Sequence, residues 1–152
     1  MNKKILAFVC GGKEFLLLRN NSKDPSHGGD FWFTVTGSVE QGETIEDAVR
    51  REVKEETNLN VAEIFDLKWG SVYSWSGEDH SENNFLVFVK KEKVLLNEEH
   101  VDSEWLNLND FIKRINWDLN KEELKQVLLK AIKRDLFFKK EKIDDFRKKA
   151  TN

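Results

Sequence analysis

The chain has 152 residues and a formal net charge of −3, with 39% hydrophobic and 35% charged residues, including eleven Phe and five Trp. A chain of about 150 residues usually forms one domain, and this much apolar material excludes wholesale disorder. The single cysteine, Cys10, excludes an internal disulfide and a cysteine-based zinc cluster. No segment reaches the roughly 18 apolar residues of a membrane span. The apolar run near the N-terminus is too short for a signal peptide, so we expect a cytosolic protein without a membrane partner.

The first part of the chain indicates three strands followed by a helix. "KILAFVC" and "EFLLLRN" predict two strands joined by a glycine turn. Residues 20–30 contain the only proline and predict a loop. "FWFTVTG" predicts a third strand ending at Gly37, and "SVEQGE" a turn. Thr44 then opens a helix, and Asp47 is placed to complete a box of capping hydrogen bonds.

The second part indicates three more strands and a helical end. "NVAEIFDLKWGSVYSW" and "FLVFVKKEKVLL" predict a hairpin-like pair joined by the polar loop "SGEDHSENN". "EWLNLNDFIKRI" predicts a short strand leading into a turn and a helix. "NKEELKQVLLKAIKRDLFF" is amphipathic, with one apolar stripe formed by Leu124, Val127, Leu128, Ala131 and Ile132. The order βββ-α-ββ-β-α predicts an α/β protein with a mixed sheet packed by helices.

The C-terminal segment is basic. Lys130 to Lys149 contains nine Lys or Arg against four Asp or Glu, a balance of +5. Such a segment can bind nucleic acid or acidic lipid, but a solvated helix face is the more common explanation, and we favour it over a nucleic-acid partner. We expect residues 1–135 to form one domain, residues 136–152 to form a basic helical extension, and the protein to be a monomer or a homodimer.

The stretch "RREVKEETNL" has acidic residues on the wrong face of its helix. At about 100° per residue, the aliphatic residues of the predicted helix define one arc. Glu52 and Glu56 fall within about 35° of its centre, whereas an exposed acidic face would lie opposite the aliphatics. Glu52, Glu55 and Glu56 also stand at i,i+3 and i,i+4 spacings, where like charges destabilise a helix. Burial would add a desolvation cost unless something positive joins them.

Arg51 can neutralise one of these carboxylates, and the others call for a cation. A cluster of oxygen ligands suits a hard divalent ion such as Mg²⁺ or Mn²⁺, which keeps some water ligands and reaches phosphate oxygens. The pattern therefore predicts a carboxylate metal site, without identifying the reaction.

The spacing of these residues resembles the signature of the Nudix hydrolase family. Gly37, five residues, Glu43, seven residues and then "REVKEETNL" from Arg51 match the defining positions, except that Asn58 stands where the family has glycine. Asparagine is the residue other than glycine that best tolerates the left-handed conformation wanted at a helix C-cap. The departure is therefore mild.

The resemblance implies an α/β/α sandwich around a mixed β-sheet and the hydrolysis of a nucleoside diphosphate linked to another group, with Mg²⁺ (or Mn²⁺) required. It implies that Glu43 and Arg51 brace the loop and helix. The implied metal ligands are Glu52, Glu55, Glu56 and the Gly37 carbonyl. The cations would neutralise phosphate charge and acidify a bound water, whose proton a carboxylate then takes. That base is Glu52 or Glu55, or Glu99 in "NEEHVDSEWL", a placement similar to the downstream acid of many members; His100 alone is more often structural.

Sequence features beyond the defining positions of the signature favour one group of Nudix hydrolases, distinguished by its substrate. "DPSHGGDFWFTVTGSVEQGET" and "EHVDSEWL" are similar to runs in dihydroneopterin triphosphate (also dATP) pyrophosphohydrolases, although the insertion "SHGG" departs from that pattern. The NADH and ADP-ribose branches carry prolines after the signature, whereas the only proline here is Pro25. Diadenosine polyphosphate hydrolases, which often have a tyrosine near the position of Tyr73, stay an alternative.

A planar pterin or purine needs an aromatic or apolar slot. Phe31, Trp75 and Tyr73 are candidate contacts, and Arg19, at the end of the second strand, is a candidate for the phosphates. Two other function classes compete with hydrolysis of a small triphosphate: a non-catalytic Nudix-fold binding module, and an RNA 5′-end hydrolase that uses the basic tail. Binding modules of this fold usually lose signature glutamates, and this chain keeps all of them.

Overall fold

The computed structural model describes residues 2–20 and 31–137, with the backbone alone at residues 71–73 and 75. All of "DPSHGGD" (residues 24–30) and nearly all of the predicted basic extension therefore lie outside the described residues. The described part forms seven strands: β1 (Asn2–Gly11), β2 (Glu14–Asn20), β3 (Trp32–Phe33), β4 (Val35–Ser38), β5 (Val61–Trp75), β6 (Glu78–Val89) and β7 (His100–Leu106). Its three helices are α1 (Ile45–Thr57), α2 (Leu108–Arg114) and α3 (Lys121–Ile132). No helix of this part is long and apolar enough to cross a membrane.

The seven strands form one mixed sheet in the order β3-β2-β1-β6-β5, with β4 also paired to β1 and β7 to β2. The central pair β1–β6 is parallel and every other pair is antiparallel. The mixed sheet expected from the order of elements is confirmed.

Helices cover both faces of the sheet because side chains of a strand alternate between its faces. One core cluster joins Ile5, Ala7 and Val9 of β1 to the buried aliphatic face of α1. The other joins Leu6, Phe8 and Cys10 of β1 to α2 and α3. The result is the α/β/α sandwich that the resemblance implies.

The ends of α1 follow the sequence signals. The Thr44 hydroxyl accepts a hydrogen bond from the Asp47 N–H at 3.0 Å, which makes Thr44 the N-cap. Asn58 has φ 63° and its N–H donates to the Lys54 carbonyl at 2.9 Å. The left-handed cap expected of Asn58 is therefore present.

Several predicted strand boundaries are wrong. The strand expected over 31–37 is interrupted at Thr34, whose hydroxyl donates to the Ala7 carbonyl of β1 instead. The loop expected over 76–84 shrinks to a turn at Ser76 and Gly77, and β6 begins at Glu78. Polar side chains suggested a loop, but pairing of β6 with β1 on one side and β5 on the other overrides that local preference.

Two further boundaries differ farther along the chain. The strand expected to reach residue 96 ends at Val89, the last residue with a partner on β1. The strand expected to begin at 104 already begins at His100, because β7 pairs with β2 as far as Asn20. Both boundaries are set by pairing between segments that are distant in sequence, and a local sequence pattern cannot predict such pairing.

Candidate active site

The acidic face of α1 lies where the helical periodicity predicts. Glu52 and Glu56 are buried, with 9% and 2% of their surface exposed, alongside Ala48, Val49 and Val53. The Glu55 side chain lies at the rim, 53% exposed. One turn of α1 thus places two carboxylates inside the protein and a third at the edge of the same site.

Arg51 ties the loop before α1 to the helix. Its guanidinium donates to both oxygens of Glu43, at 2.7 and 3.0 Å, and to the Ser38 carbonyl at 2.9 Å. A further bond of 2.8 Å reaches Glu52. The hydrogen bond from Arg51 lowers the pKa of Glu43 below its usual value. The contact expected between Glu43 and Arg51 is therefore present, and it fixes the loop against the carboxylate face.

Gly37 of β4 provides room for Glu52. A Cβ built on Gly37 would lie 2.2 Å from Cδ of Glu52, far inside contact distance. Any side chain at position 37 would push the Glu52 carboxylate away. The close approach of the Glu52 side chain to the backbone explains why residue 37 is a glycine. It also keeps the backbone of Gly37 beside Glu52, a predicted metal ligand.

A second strand brings two more groups to Glu56. The pairing of β7 with β2 places His100 opposite Asn20, and one ligand atom each of Glu56, Glu99 and His100 lies within 4.8 Å of the others. His100 Nδ1 lies 3.6 Å from Glu56 Oε1. Among the described residues, Oε2 of Glu56 and Nδ1 of His100 are buried without a hydrogen-bond partner.

Burial dominates the electrostatics of this cluster. Desolvation, reinforced by the nearby charges of Glu99 and Glu52, raises the pKa of Glu56 to about 9. Desolvation also raises the pKa of Glu52, against the opposing effect of Arg51. It lowers the pKa of His100, which Glu99 partly offsets. Without a cation, Glu56 therefore holds a proton at neutral pH.

These residues fit a divalent cation. Glu56 Oε2 is a buried oxygen with no hydrogen-bond partner in the described part of the chain, and a carboxylate oxygen of Glu99 lies within 4.8 Å of a carboxylate oxygen of Glu56. Burying several carboxylates together is costly unless positive charge joins them. Arg51 already serves Glu43 and Glu52, so Glu56 is the carboxylate with the greatest need of a cation.

A pocket of about 270 Å³ opens beside the carboxylates. Its lining consists of Leu18, Asn20, Phe31, Phe33, Thr34, Thr36, Glu56, Glu99 and His100. The rings of Phe31 and Phe33 lie 5.5 Å apart between centroids. Phe31 was a predicted substrate contact and the structure places it here, together with Glu99. Sequence reasoning missed Phe33, although it alternates with Phe31 in the strand predicted over 31–37, which was the available signal.

Arg19, another predicted substrate contact, is not among the residues that line this pocket. In β2, Phe15 and Leu17 pack in the core under α2 and α3, whereas Leu16 and Leu18 pack in the core under α1. Because side chains alternate along a strand, Arg19 lies on the same face of the sheet as Phe15 and Leu17, opposite the carboxylates of α1. The side chains of Tyr73 and Trp75 lie outside the described residues. Their roles, like that of Arg19, stay predictions.

A family model described as "NUDIX domain" matches residues 2–128. The chain belongs to the Nudix family. The Nudix signature thus comprises Gly37 to Leu59, with α1 as the helix that carries its glutamates.

The curated relatives are named as a hydrolase and a diphosphatase. Dihydroneopterin triphosphate diphosphatase of Escherichia coli is 30% identical over 118 residues, covering 68% of this chain and 75% of that protein. NAD-capped RNA hydrolase NudC of Haemophilus influenzae is 32% identical over 104 residues, covering 68% of this chain and 38% of that protein. The chain thus spans about two fifths of the NudC proteins it matches.

Solved Nudix structures share the fold. The E. coli dihydroneopterin triphosphate pyrophosphohydrolase aligns with a TM-score of 0.62 and 26% identity, over 82% of this chain and 92% of that one. A Caenorhabditis elegans Ap4A hydrolase aligns with a TM-score of 0.61 and 27% identity, over 84% and 93%. Together these findings make the chain a Nudix hydrolase, a class of enzyme that generally uses a divalent metal ion.

Proposed function

We propose that this Nudix hydrolase is a Mg²⁺-dependent pyrophosphohydrolase that cleaves a nucleoside or pterin triphosphate to the monophosphate and pyrophosphate. The observation that carries the proposal is the adjacency of buried carboxylates and a pocket walled by two aromatic rings. Carboxylates at one end suit the metal and the phosphates, and aromatic rings suit a planar base.

The residues that would hold the ion are Glu52, Glu55, Glu56 and the Gly37 carbonyl. Bound there, a divalent cation supplies neutralisation of phosphate charge and a lowered pKa for an attacking water. Arg51 and Glu43 act as positioning residues, because their bidentate contact holds the loop after Gly37 against α1.

The chain supplies the base for the reaction. A carboxylate among Glu52, Glu55 and Glu99 accepts a proton from water, and the water oxygen forms a bond to one phosphorus of the triphosphate. The bond between that phosphorus and its bridging oxygen breaks, and pyrophosphate and the monophosphate separate. No covalent intermediate with the enzyme is required.

The pocket supports a planar substrate. Phe31 and Phe33 both line the pocket, with their ring planes tilted by 31°, and aromatic rings suit contact with a planar base. Asn20 and Thr36 add polar residues to the lining of the same pocket. A pterin and a purine both meet these requirements.

The relatives support the triphosphate branch and one alternative. The E. coli diphosphatase supports it in both sequence and fold. Similarity to an Ap4A hydrolase supports diadenosine polyphosphates as a second substrate class. NudC matches this chain over only part of its own length, so NAD-type substrates serve as a further comparison.

The test is product analysis on dihydroneopterin triphosphate, dATP, GTP, diadenosine tetraphosphate and NADH in the presence of Mg²⁺. Glu56→Gln removes one predicted ligand charge and keeps the side-chain shape. Glu46→Gln, at an exposed position in the first turn of α1, is the matched control. We expect pyrophosphate from the pterin or dATP with the wild type and the control, and a loss of at least tenfold in Glu56→Gln.

The other outcomes separate the alternatives. Cleavage of diadenosine tetraphosphate in preference to the triphosphates would replace the proposed substrate with the second class. If a folded protein that binds Mg²⁺ released no product from any of these substrates, the result would contradict the proposal and favour a binding module.

A further inference from the structure

His100 differs from the rest of the carboxylate site in its chemistry. It contributes nitrogen to a group of oxygen donors, and its side chain is only 10% exposed. Nδ1 points toward Glu56 at 3.6 Å, and no described residue forms a hydrogen bond with it. A buried imidazole nitrogen in this state is costly unless it gains a partner.

We propose that His100 is a nitrogen ligand of the divalent cation that Glu56 would hold, with Glu99 as a further donor beside the proposed ligands, and that this nitrogen makes the site prefer a first-row transition ion such as Mn²⁺ over Mg²⁺. The inference rests on the proposed metal-dependent function and concerns the composition of its site. His100 is no part of the signature that defines the family.

The separation of the donor atoms suits one shared ion. Two ligands at about 2.1 Å from one ion can lie at most about 4.2 Å apart. The 3.6 Å between His100 Nδ1 and Glu56 Oε1 is within this limit, so one ion could contact both atoms. The same distance is too long for a hydrogen bond, so His100 Nδ1 and Glu56 Oε1 do not form a hydrogen bond with each other.

The position of His100 is also well defined. It begins β7 opposite Asn20 of β2, whereas Glu56 comes from α1. Ligands from two separate elements of the sandwich hold a fixed geometry, as a metal site needs. Glu99, the neighbour of His100, brings a third donor atom within 4.8 Å of the other two.

The donor set decides the metal. Oxygen-only sites suit Mg²⁺, whereas an imidazole ligand favours transition ions, which form stronger bonds to nitrogen. Glu56, Glu99 and His100 make a mixed nitrogen–oxygen set. Losing the nitrogen should therefore weaken Mn²⁺ binding far more than Mg²⁺ binding.

The test detects nitrogen bound to the metal directly. Pulsed EPR of Mn²⁺ bound to the metal-free, untagged chain reports ¹⁴N in the first coordination shell. The chain has three histidines: His27, His80 and His100. The double variant His27→Gln/His80→Gln leaves His100 as the only imidazole, and His100→Gln replaces the nitrogen with an amide oxygen.

We expect ¹⁴N coupling in the wild type and in the double variant, and none in His100→Gln. We also expect His100→Gln to lower the ratio of Mn²⁺ to Mg²⁺ affinity by tenfold or more, measured by calorimetry. Because the double variant leaves His100 in place, a folding defect in His100→Gln would not remove the test.

Bound Mn²⁺ without ¹⁴N coupling in the wild type would overturn the inference, and so would coupling that disappears in the double variant. Either result leaves the proposed hydrolysis intact if Mg²⁺ still supports product release. Failure of the wild type to bind either ion would overturn both.

Discussion

The buried carboxyl of Glu56 should make the metal-free protein lose stability as the pH rises. In the folded chain the pKa of Glu56 is raised from 4.5 to about 9, chiefly by burial. Between these values the folded protein keeps a proton that the unfolded chain has released. Stability is therefore fully present below pH 4.5 and is lost progressively as the pH rises toward 9. Glu56→Gln, which never ionises, should not share this loss.

The magnitude follows from proton linkage. One extra proton on the folded state lowers the free energy of unfolding by about 1.4 kcal/mol per pH unit. From pH 5 to pH 8 the wild type should thus lose about 4 kcal/mol relative to Glu56→Gln. The value is large against the 5–15 kcal/mol that typically stabilises a domain, so it should be visible.

The assay is denaturant unfolding in EDTA at pH 5, 6, 7 and 8. Glu55→Gln is the matched control, because it removes a charge from the same helix at a side chain that is 53% exposed. We expect the free energy of unfolding of the control to fall with pH as that of the wild type does. The free energy of unfolding of Glu56→Gln should fall less, so that it exceeds the wild-type value increasingly as the pH rises. Added Mg²⁺ should restore the wild type at pH 8 by mass action and have far less effect on Glu56→Gln.

A parallel pH dependence in the wild type and Glu56→Gln would refute this reasoning. It would mean that the Glu56 carboxyl ionises without penalty in the folded chain, and that its burial does not create a need for a cation.

Three further predictions concern the surroundings of the carboxylates. Gly37→Ala places a Cβ about 2.2 Å from Glu52 Cδ, so it should cost about 1–3 kcal/mol of unfolding free energy and weaken Mg²⁺ binding by calorimetry; unchanged binding would contradict the close approach. Arg51→Lys keeps the charge but loses the bidentate bond to Glu43, and should cost about 1–2 kcal/mol; wild-type stability on denaturant unfolding would argue against the brace. Asn58→Ala should lower stability by about 1 kcal/mol because φ is 63°, whereas Asn58→Gly should not, and equal thermal midpoints would contradict the strained cap.

The helix that carries the site was predictable from local chemistry. Thr44 marks its start, Asn58 its end, and the 3.6-residue period places Glu52 and Glu56 on the buried face. These signals lie within one segment and need no knowledge of the rest of the chain. The rim position of Glu55 follows from the same periodicity.

What the sequence did not reveal depends on contacts between distant segments. His100 meets Glu56 only because β7 pairs with β2 up to Asn20, across a register shift in β2. β6 begins at Glu78 because a central strand gains hydrogen bonds on both sides despite its polar side chains. Neither pairing can be predicted from a local sequence pattern. The position of His100 beside Glu56 and the length of the β5–β6 hairpin are therefore known only from the structure.

The carboxylates of α1 are proposed to hold a divalent ion for cleavage of a triphosphate. The most direct measurement is the stoichiometry of products from dihydroneopterin triphosphate, followed over time with Mg²⁺ and then with EDTA. We predict one pyrophosphate for each monophosphate with Mg²⁺, and no reaction after chelation. Orthophosphate with a diphosphate product, or hydrolysis that persists in EDTA, would contradict the account.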